Sequence, residues 1–190
     1  MKTTSVFEIV ERIVALLRAE ERRRCAELGL QPVHLQVLDY LQQCNRYSDT
    51  PAAVSNYLGM TRGTVSQTLQ LLEKKAYLSK KTDQHDKRVV HLHLSVQGKA
   101  VLQQTLPNTL FLQAELDLKQ QYPTIDYQTI LLSLLTALQK ANRFASFGLC
   151  KTCQHFDQRI KGGFCQLTEE ALTVEDSEKI CQEHQPKADA

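Results

Sequence analysis

A chain of 190 residues with 42% apolar content is long enough for one ordinary domain with a real core, or for one domain and a small appendage. Its net charge of +2 is too small to mark the whole chain as a partner for polyanions, so any such signal must be local. No stretch reaches the length of a membrane span, and the N-terminal residues carry acids too early for a secretion signal, so a soluble cytoplasmic protein is expected. In that compartment the six cysteines stay reduced, and any that cluster read as metal ligands or redox sensors rather than as disulfides.

Residues 5–30 place Phe7, Val10, Val14 and Leu17 on one side of a predicted amphipathic helix, with Ile13, Leu16 and Leu28 widening the stripe. A stripe that broad serves either as core or as half of a dimer interface. The Arg22-Arg23-Arg24 run reads as solvated helix surface in preference to a DNA or phosphate patch. Leu30-Gln31-Pro32 breaks the chain and starts a helix that runs to about Cys44, with Val33, Val37, Leu38 and Leu41 inward, and 45–49 is a polar loop.

Two short helices follow, joined by a tight turn at Leu58-Gly59-Met60; Thr50 is the N-cap and Pro51 the first residue of one, and Thr61 is the N-cap of the next. On the second helix Val65, Leu69 and Leu72 fall at i, i+4 and i+7, which leaves Arg62, Thr64, Gln67 and Gln70 on the opposite face. Those side chains can hydrogen-bond base edges or phosphates, and a helix N-terminus itself attracts phosphate. Residues 77–80 and 89–94 are strand-like around a charged tip, 81–88, and Val90, Leu92 and Leu94 alternate with His91, His93 and Ser95. A helix-turn-helix followed by such a hairpin is a winged helix. Between Thr61 and His93 there are seven Lys or Arg (Arg62, Lys74, Lys75, Lys80, Lys81, Lys87, Arg88) and three acids (Glu73, Asp83, Asp86), so the positive excess is concentrated on this element.

The runs Val54-Ser55-Asn56-Tyr57-Leu58-Gly59-Met60-Thr61-Arg62-Gly63-Thr64-Val65-Ser66, Leu72-Glu73-Lys74-Lys75, Asp83-Gln84-His85-Asp86-Lys87-Arg88 and Leu94-Ser95-Val96-Gln97-Gly98 resemble the MarR family of bacterial transcriptional regulators, over roughly residues 5–145. The resemblance implies a recognition helix in the major groove, a wing arginine in the minor groove, and a homodimer on a near-palindromic operator. By position Arg88 matches the wing arginine, and Asp86 an acid that braces the wing against the recognition helix. One departure is Ala76, where the family usually has Gly; a missing left-handed cap and a shifted helix end are expected there.

Beyond the wing, 99–119 is helical with a bend at Pro107-Asn108, and 127–147 carries Ile130, Leu131, Leu134, Leu135 and Leu138 at helical spacing. The resemblance implies that these helices interlock with the first helix of the partner chain.

Four of the six cysteines lie in the last stretch, spaced Cys150-x2-Cys153-x11-Cys165-x15-Cys181, with His184 after a further two residues. The segment 149–190 has little apolar content and two glycines that read as flexible, Gly162 and Gly163, so a bound metal is expected to supply the missing stabilisation. Four thiolates suit a tetrahedral site. An iron-sulfur cluster, the leading reading, accepts one CxxC and two dispersed cysteines, and the pattern CxxCxxF, Gly-Phe-Cys, lone Cys resembles cluster modules related to high-potential iron-sulfur proteins. Zinc is the runner-up, with Cys181 and His184 as a second ligand pair, and a metal-free thiol switch comes last. Cys25 and Cys44, each isolated on a helix, read as small buried apolar residues. His34, His85, His91 and His93 read as non-ligands, the last two on a solvated strand face.

The expected molecule is therefore mainly α with a small β-wing. Residues 1–148 form a DNA-binding and dimerisation domain (winged helix about 32–98, dimerisation helices about 5–30 and 99–148), and 149–190 a cysteine-rich extension. Its expected function is transcription regulation, with metal at Cys150, Cys153, Cys165 and Cys181 altering DNA affinity through the separation of the two recognition helices. Two alternatives stand: a small-molecule-responsive regulator with structural zinc, and a redox protein that uses its winged helix for protein contact. No nucleophile with a base, phosphate loop or paired carboxylates suggests an enzyme.

Overall fold

The computed structural model describes residues 4–105, 109–141, 147–160 and 162–187. Ser5 opens α1 (Val6–Glu27) with a reciprocal capping box to Glu8, and Gly29, at φ 61°, closes it. Then come α2 (Pro32–Gln43), α3 (Pro51–Leu58) and α4 (Arg62–Lys74), followed by an antiparallel hairpin of β1 (Leu78–Thr82) and β2 (Val90–Leu94) in register Leu78 to Leu94. Helices α5 (Val96–Thr105), α6 (Thr109–Gln121) and α7 (Tyr127–Ala141) complete the larger part. The expected bend at Pro107-Asn108 and the end of the last long helix lie outside the described residues.

The main core gathers Val37, Leu38 and Tyr40 of α2, Val54 of α3, Val65, Leu69 and Leu72 of α4, Leu92 of β2 and Leu102 of α5. Cys25 and Cys44 are buried with it, and burial pushes their thiols up to about 11 and about 12, as inert small apolar residues require. His34 is also buried, its Nδ1 accepting the Gln31 amide at the start of α2. Arg24 is not simply solvated surface: it donates to the Thr105 carbonyl and to Thr109 Oγ1, tying α1 to the α5–α6 corner.

Ala76 departs from expectation. It adopts the left-handed conformation itself, at φ 58°, with its amide on Glu73 O and the Tyr77 amide on Leu72 O, 2.9 Å each. The cap expected to be missing is built in full, because Tyr77 and Leu72 are both anchored in or against the core and hold the chain in that turn.

Against the core built by α2 to α5, the apolar residues of α1, α6 and α7 are left uncovered. Phe7, Ile9, Ile13, Leu112, Leu116, Ile130, Leu131 and Leu135 are all exposed.

The C-terminal part folds as a three-stranded antiparallel sheet, β3 (Phe156–Arg159), β4 (Gly162–Cys165) and β5 (Glu170–Leu172), with a 3-10 turn at Cys150–Thr152 and one turn of helix, α8 (Val174–Ser177). Gly162 and Gly163 are buried strand residues, not flexible ones. A Cβ on Gly163 would lie 2.2 Å from the Phe156 ring, and one on Gly162 2.2 Å from Leu172 O, so both are glycine for lack of space. Among the described residues no helix is long and apolar enough to cross a membrane.

Candidate nucleic-acid interface and cysteine centre

Helix α4 starts at Thr61, whose hydroxyl accepts the Thr64 amide at 3.2 Å, and buries Val65, Thr68, Leu69 and Leu72. The opposite face leaves Arg62, Thr64, Gln67, Gln70, Lys74 and Lys75 exposed. A convex helix face of short polar and cationic side chains, held rigidly from behind, is what major-groove readout requires. The wing stands beside it. A cleft of about 570 Å³ separates the two, bordered by Arg62 and Ser66 on one side and by Lys80, Arg88 and Val90 on the other.

Within the wing, Asp83 Oδ1 accepts the amides of His85 (2.7 Å) and Asp86 (2.8 Å), bonds that hold its carboxyl down at about 2 and fix the tip. Asp86 accepts the Arg88 amide at 3.0 Å and grips the same residue's guanidinium at 2.8–2.9 Å. The acid thus braces the arginine arm within the wing, where a brace onto the recognition helix was expected. Lys81 is exposed on the hairpin, Lys87 is exposed with its Nζ donating to Asp83 O at 3.4 Å, and Lys80 pairs with Glu73 of α4 at 2.7 Å, which joins strand to helix.

His91 does not lie on a solvated face. Its Nδ1 is 2.5 Å from Asp49 Oδ1 and its Nε2 3.4 Å from Asp83 Oδ2, so one ring bridges the loop before α3 to the wing tip. The Asp49 hydrogen bond, opposed by burial, raises His91 above its usual range. The Leu92 amide also donates to Asp49 O at 2.7 Å.

The four C-terminal cysteines face one another around a cavity. Cys150, Cys153, Cys165 and Cys181 line one small cavity of about 20 Å³, closed by Phe156 and Leu172. Cys150 Sγ accepts the Asn45 side-chain amide at 3.3 Å, and Cys153 Sγ the Gln185 backbone amide at 3.4 Å. The neighbouring Cys150 thiol lowers the Cys181 thiol below its ordinary range, while Cys150 itself is pushed up by that neighbour and by burial. Among the described residues no three His, Cys, Asp or Glu side chains already stand at ligand spacing. The donor set and its N–H···S support nevertheless fit a soft, four-coordinate ion. His184 lies apart: its Nε2 is on Thr152 Oγ1 at 2.9 Å and its ring packs on Gly148, outside the cavity wall.

Residues 28–89 match the MarR family. The winged helix is of the MarR type. Among solved structures, the chain is similar to the Staphylococcus aureus MepR–DNA complex (18% identity, 73% of this chain and 99% of that one, TM-score 0.57). It is also similar to CouR from Rhodococcus jostii RHA1 bound to p-coumaroyl-CoA (12%, 74% and 95%, 0.54) and to apo MarR from Escherichia coli (18%, 72% and 98%, 0.53). At these identities the likeness establishes the fold. No curated protein matches the chain by sequence.

The cysteine part lies outside the span of the MarR match, yet it is seated on the MarR-type unit. Ile180 exchanges backbone hydrogen bonds with Gln43 O and the Asn45 amide, 2.9 Å each, and Gln182 donates to Ser48 Oγ and Tyr47 O. Arg46 and Tyr47 both reach Glu170, at 3.1 and 2.6 Å. Sequence reading saw only a polar loop at 45–49. Asn45 and Ser48, both buried, are its informative residues. The available signal was polar side chains placed directly before an N-cap, which is too common to point at a docking site.

Proposed function

We propose that the protein is a DNA-binding transcription regulator that acts as a homodimer on a near-palindromic operator. The observation that carries this is the arrangement of α4 and the wing: a buried apolar rear, an exposed row of Arg62, Thr64, Gln67 and Gln70, and Arg88 held out on the adjacent hairpin. In this reading α4 enters the major groove, Arg88 the minor groove, and Lys74, Lys75, Lys81 and Lys87 meet phosphates, with Lys80 joining them on release from Glu73. The similar MepR structure is a DNA complex, which supports the assignment. The uncovered apolar residues of α1, α6 and α7 support the dimer, since a stripe of that kind on three helices needs a partner.

Cys150, Cys153, Cys165 and Cys181 are proposed as the metal ligands, with His184 left out because its ring faces Thr152. A single tetrahedral ion such as zinc fits the small cavity with the least rearrangement, and an iron-sulfur cluster requires the cysteine walls to open. Bound metal would supply cross-links to a part whose own core holds little more than Cys150, Leu172 and Cys181. Metal and sulfide analysis of protein purified without oxygen separates the two, and full metal content after Cys150→Ser or Cys181→Ser removes that residue from the ligand set.

A small-molecule effector is the second reading. A cavity of about 240 Å³ lies between α1, α2 and the end of α5, bordered by Arg18, Arg24, Leu35 and Thr105.

Salt-dependent titration of DNA duplexes drawn from the genomic region around the gene tests the main assignment. Specific binding that weakens steeply with salt is expected. Equal, weak affinity for every duplex at low salt would sink it.

A further inference from the structure

The connection 44–49 touches both candidate sites. Toward the cysteine centre, Asn45 gives its side-chain N–H to Cys150 Sγ (3.3 Å) and its backbone N–H to Ile180 O (2.9 Å); Ser48 Oγ accepts the Gln182 amide (2.9 Å), and Tyr47 packs against the thiol-containing core. Toward the DNA-reading unit, Tyr40 donates to Ser48 O (2.7 Å), Asp49 holds both the Leu92 amide and the His91 ring, and Thr50 caps α3. Asn45 is 1% and Ser48 0% exposed. Polar groups that deeply buried must keep their partners, and several of theirs belong to the cysteine part.

We propose that the loop 44–49 couples the cysteine centre to the winged helix of its own chain, with Asn45 as the positioning residue between them. The proposal rests on the reading of the four thiols as a metal site. A metal-held sulfur is a fixed acceptor for the Asn45 N–H, whereas a free thiol can rotate away from it. Once the thiols separate, 44–49 loses its anchors at Ile180, Gln182 and Glu170 together, and it then holds the start of α3 and the base of β2 less firmly. The route runs within one chain. It does not need the change in recognition-helix separation that the sequence suggested, and by linkage DNA binding must tighten metal binding by the same factor.

The test uses the full chain, with Zn(II) as the metal and the duplex it binds best. Expected is a difference of about fivefold or more in DNA affinity between zinc-loaded and chelator-treated protein, a typical size for coupled sites. Two variants address the route. Asn45→Asp keeps the oxygen that accepts from Ser48 and Tyr47 but removes the N–H to Cys150, and Gln182→Ala removes the bond to Tyr47 O. Both should retain the cysteine-to-Co(II) absorption of cobalt-loaded protein while the difference in DNA affinity falls below about twofold. Should either variant fail to fold, amide exchange in the wild type decides: zinc removal should speed exchange at Asn45 and Leu92 and leave Leu102 unchanged. Retention of the full difference in both folded variants, or unchanged exchange at Leu92, overturns the coupling and leaves the metal site standing. A chain that binds neither Zn(II) nor Co(II) overturns the metal reading, and this inference with it.

Discussion

Asp86 and Arg88, two residues apart at the wing, form a fork in which one carboxylate takes both the guanidinium and the backbone amide of the arginine. The arm is otherwise in water, its side chain 89% exposed, so the pair adds little to stability; in the proposed DNA complex its effect is to hold Arg88 extended in advance. Replacing Arg88 with Ala should lower DNA affinity about tenfold, reduce the salt slope by about one, and leave the melting temperature unchanged. Asp86→Ala should cost only about threefold, with the slope intact, because it removes order and no phosphate or base contact. Anisotropy titrations at several salt concentrations measure both. Unchanged affinity in Arg88→Ala would remove the wing from the interface.

At the end of α4, Ala76 sits at φ 58° with open solvent around it. An L-residue with a Cβ is strained there and glycine is not. Ala76→Gly should therefore stabilise the protein by about 1 kcal/mol, seen as a higher urea midpoint at unchanged slope. A lower midpoint would mean that the entropy glycine gains on unfolding outweighs the relieved strain.

The contrast between Ala76 and Thr61 shows what the sequence could carry. Thr50, Pro51, Thr61 and the Val65-Leu69-Leu72 row act locally, through their own amides and one helix face, and each was legible where it stands. Ala76 was misread because core packing on either side overrides a local preference. The four cysteines were legible as a group by spacing, but the sheet that gathers them was not, since its strands are three or four residues long and two of its positions are glycines chosen for packing. His91 and Asn45 could not have been read at all. Their partners lie 42 and 105 residues away.

His91 gives the wing a pH dependence of definite sign. Asp49 and Asp83 face the ring, His93 stacks beside it at 6.4 Å, and Asp49's hydrogen bond raises its pKa above 6.5. A raised histidine contributes stability that is complete below its unfolded value of 6.5 and lost as pH climbs through the folded one. Asp49 is itself raised, because burial outweighs the lowering by its His91 hydrogen bond. The wild type should exceed His91→Gln in stability at about pH 6, and the gap should narrow toward pH 8.5. A gap that widens with pH would show that the neutral ring is the bound form.

Gly163 offers a way to loosen the cysteine part alone. Its Cα faces the Phe156 ring so closely that a methyl group would stand 2.2 Å from Cε2, and Phe156 is itself a wall of the thiol cavity. Overpacking of this kind costs about 1–3 kcal/mol in an ordinary core. Here the core is only Cys150, Leu172 and Cys181 with a few half-buried neighbours, so the same cost falls on a unit with little to spare. The main core is a separate cluster among the described residues: it runs from Cys25 to Leu102 and takes in Ile180, with Phe147 and Leu149 packed against it, whereas Phe156 belongs to the cluster of the cysteine part. Gly163→Ala should therefore leave the far-ultraviolet helix signal intact, weaken the metal binding proposed for the four cysteines, and expose 150–187 to limited proteolysis while the winged helix resists. Loss of the whole fold would instead show that the winged helix depends on the docked cysteine part for its stability.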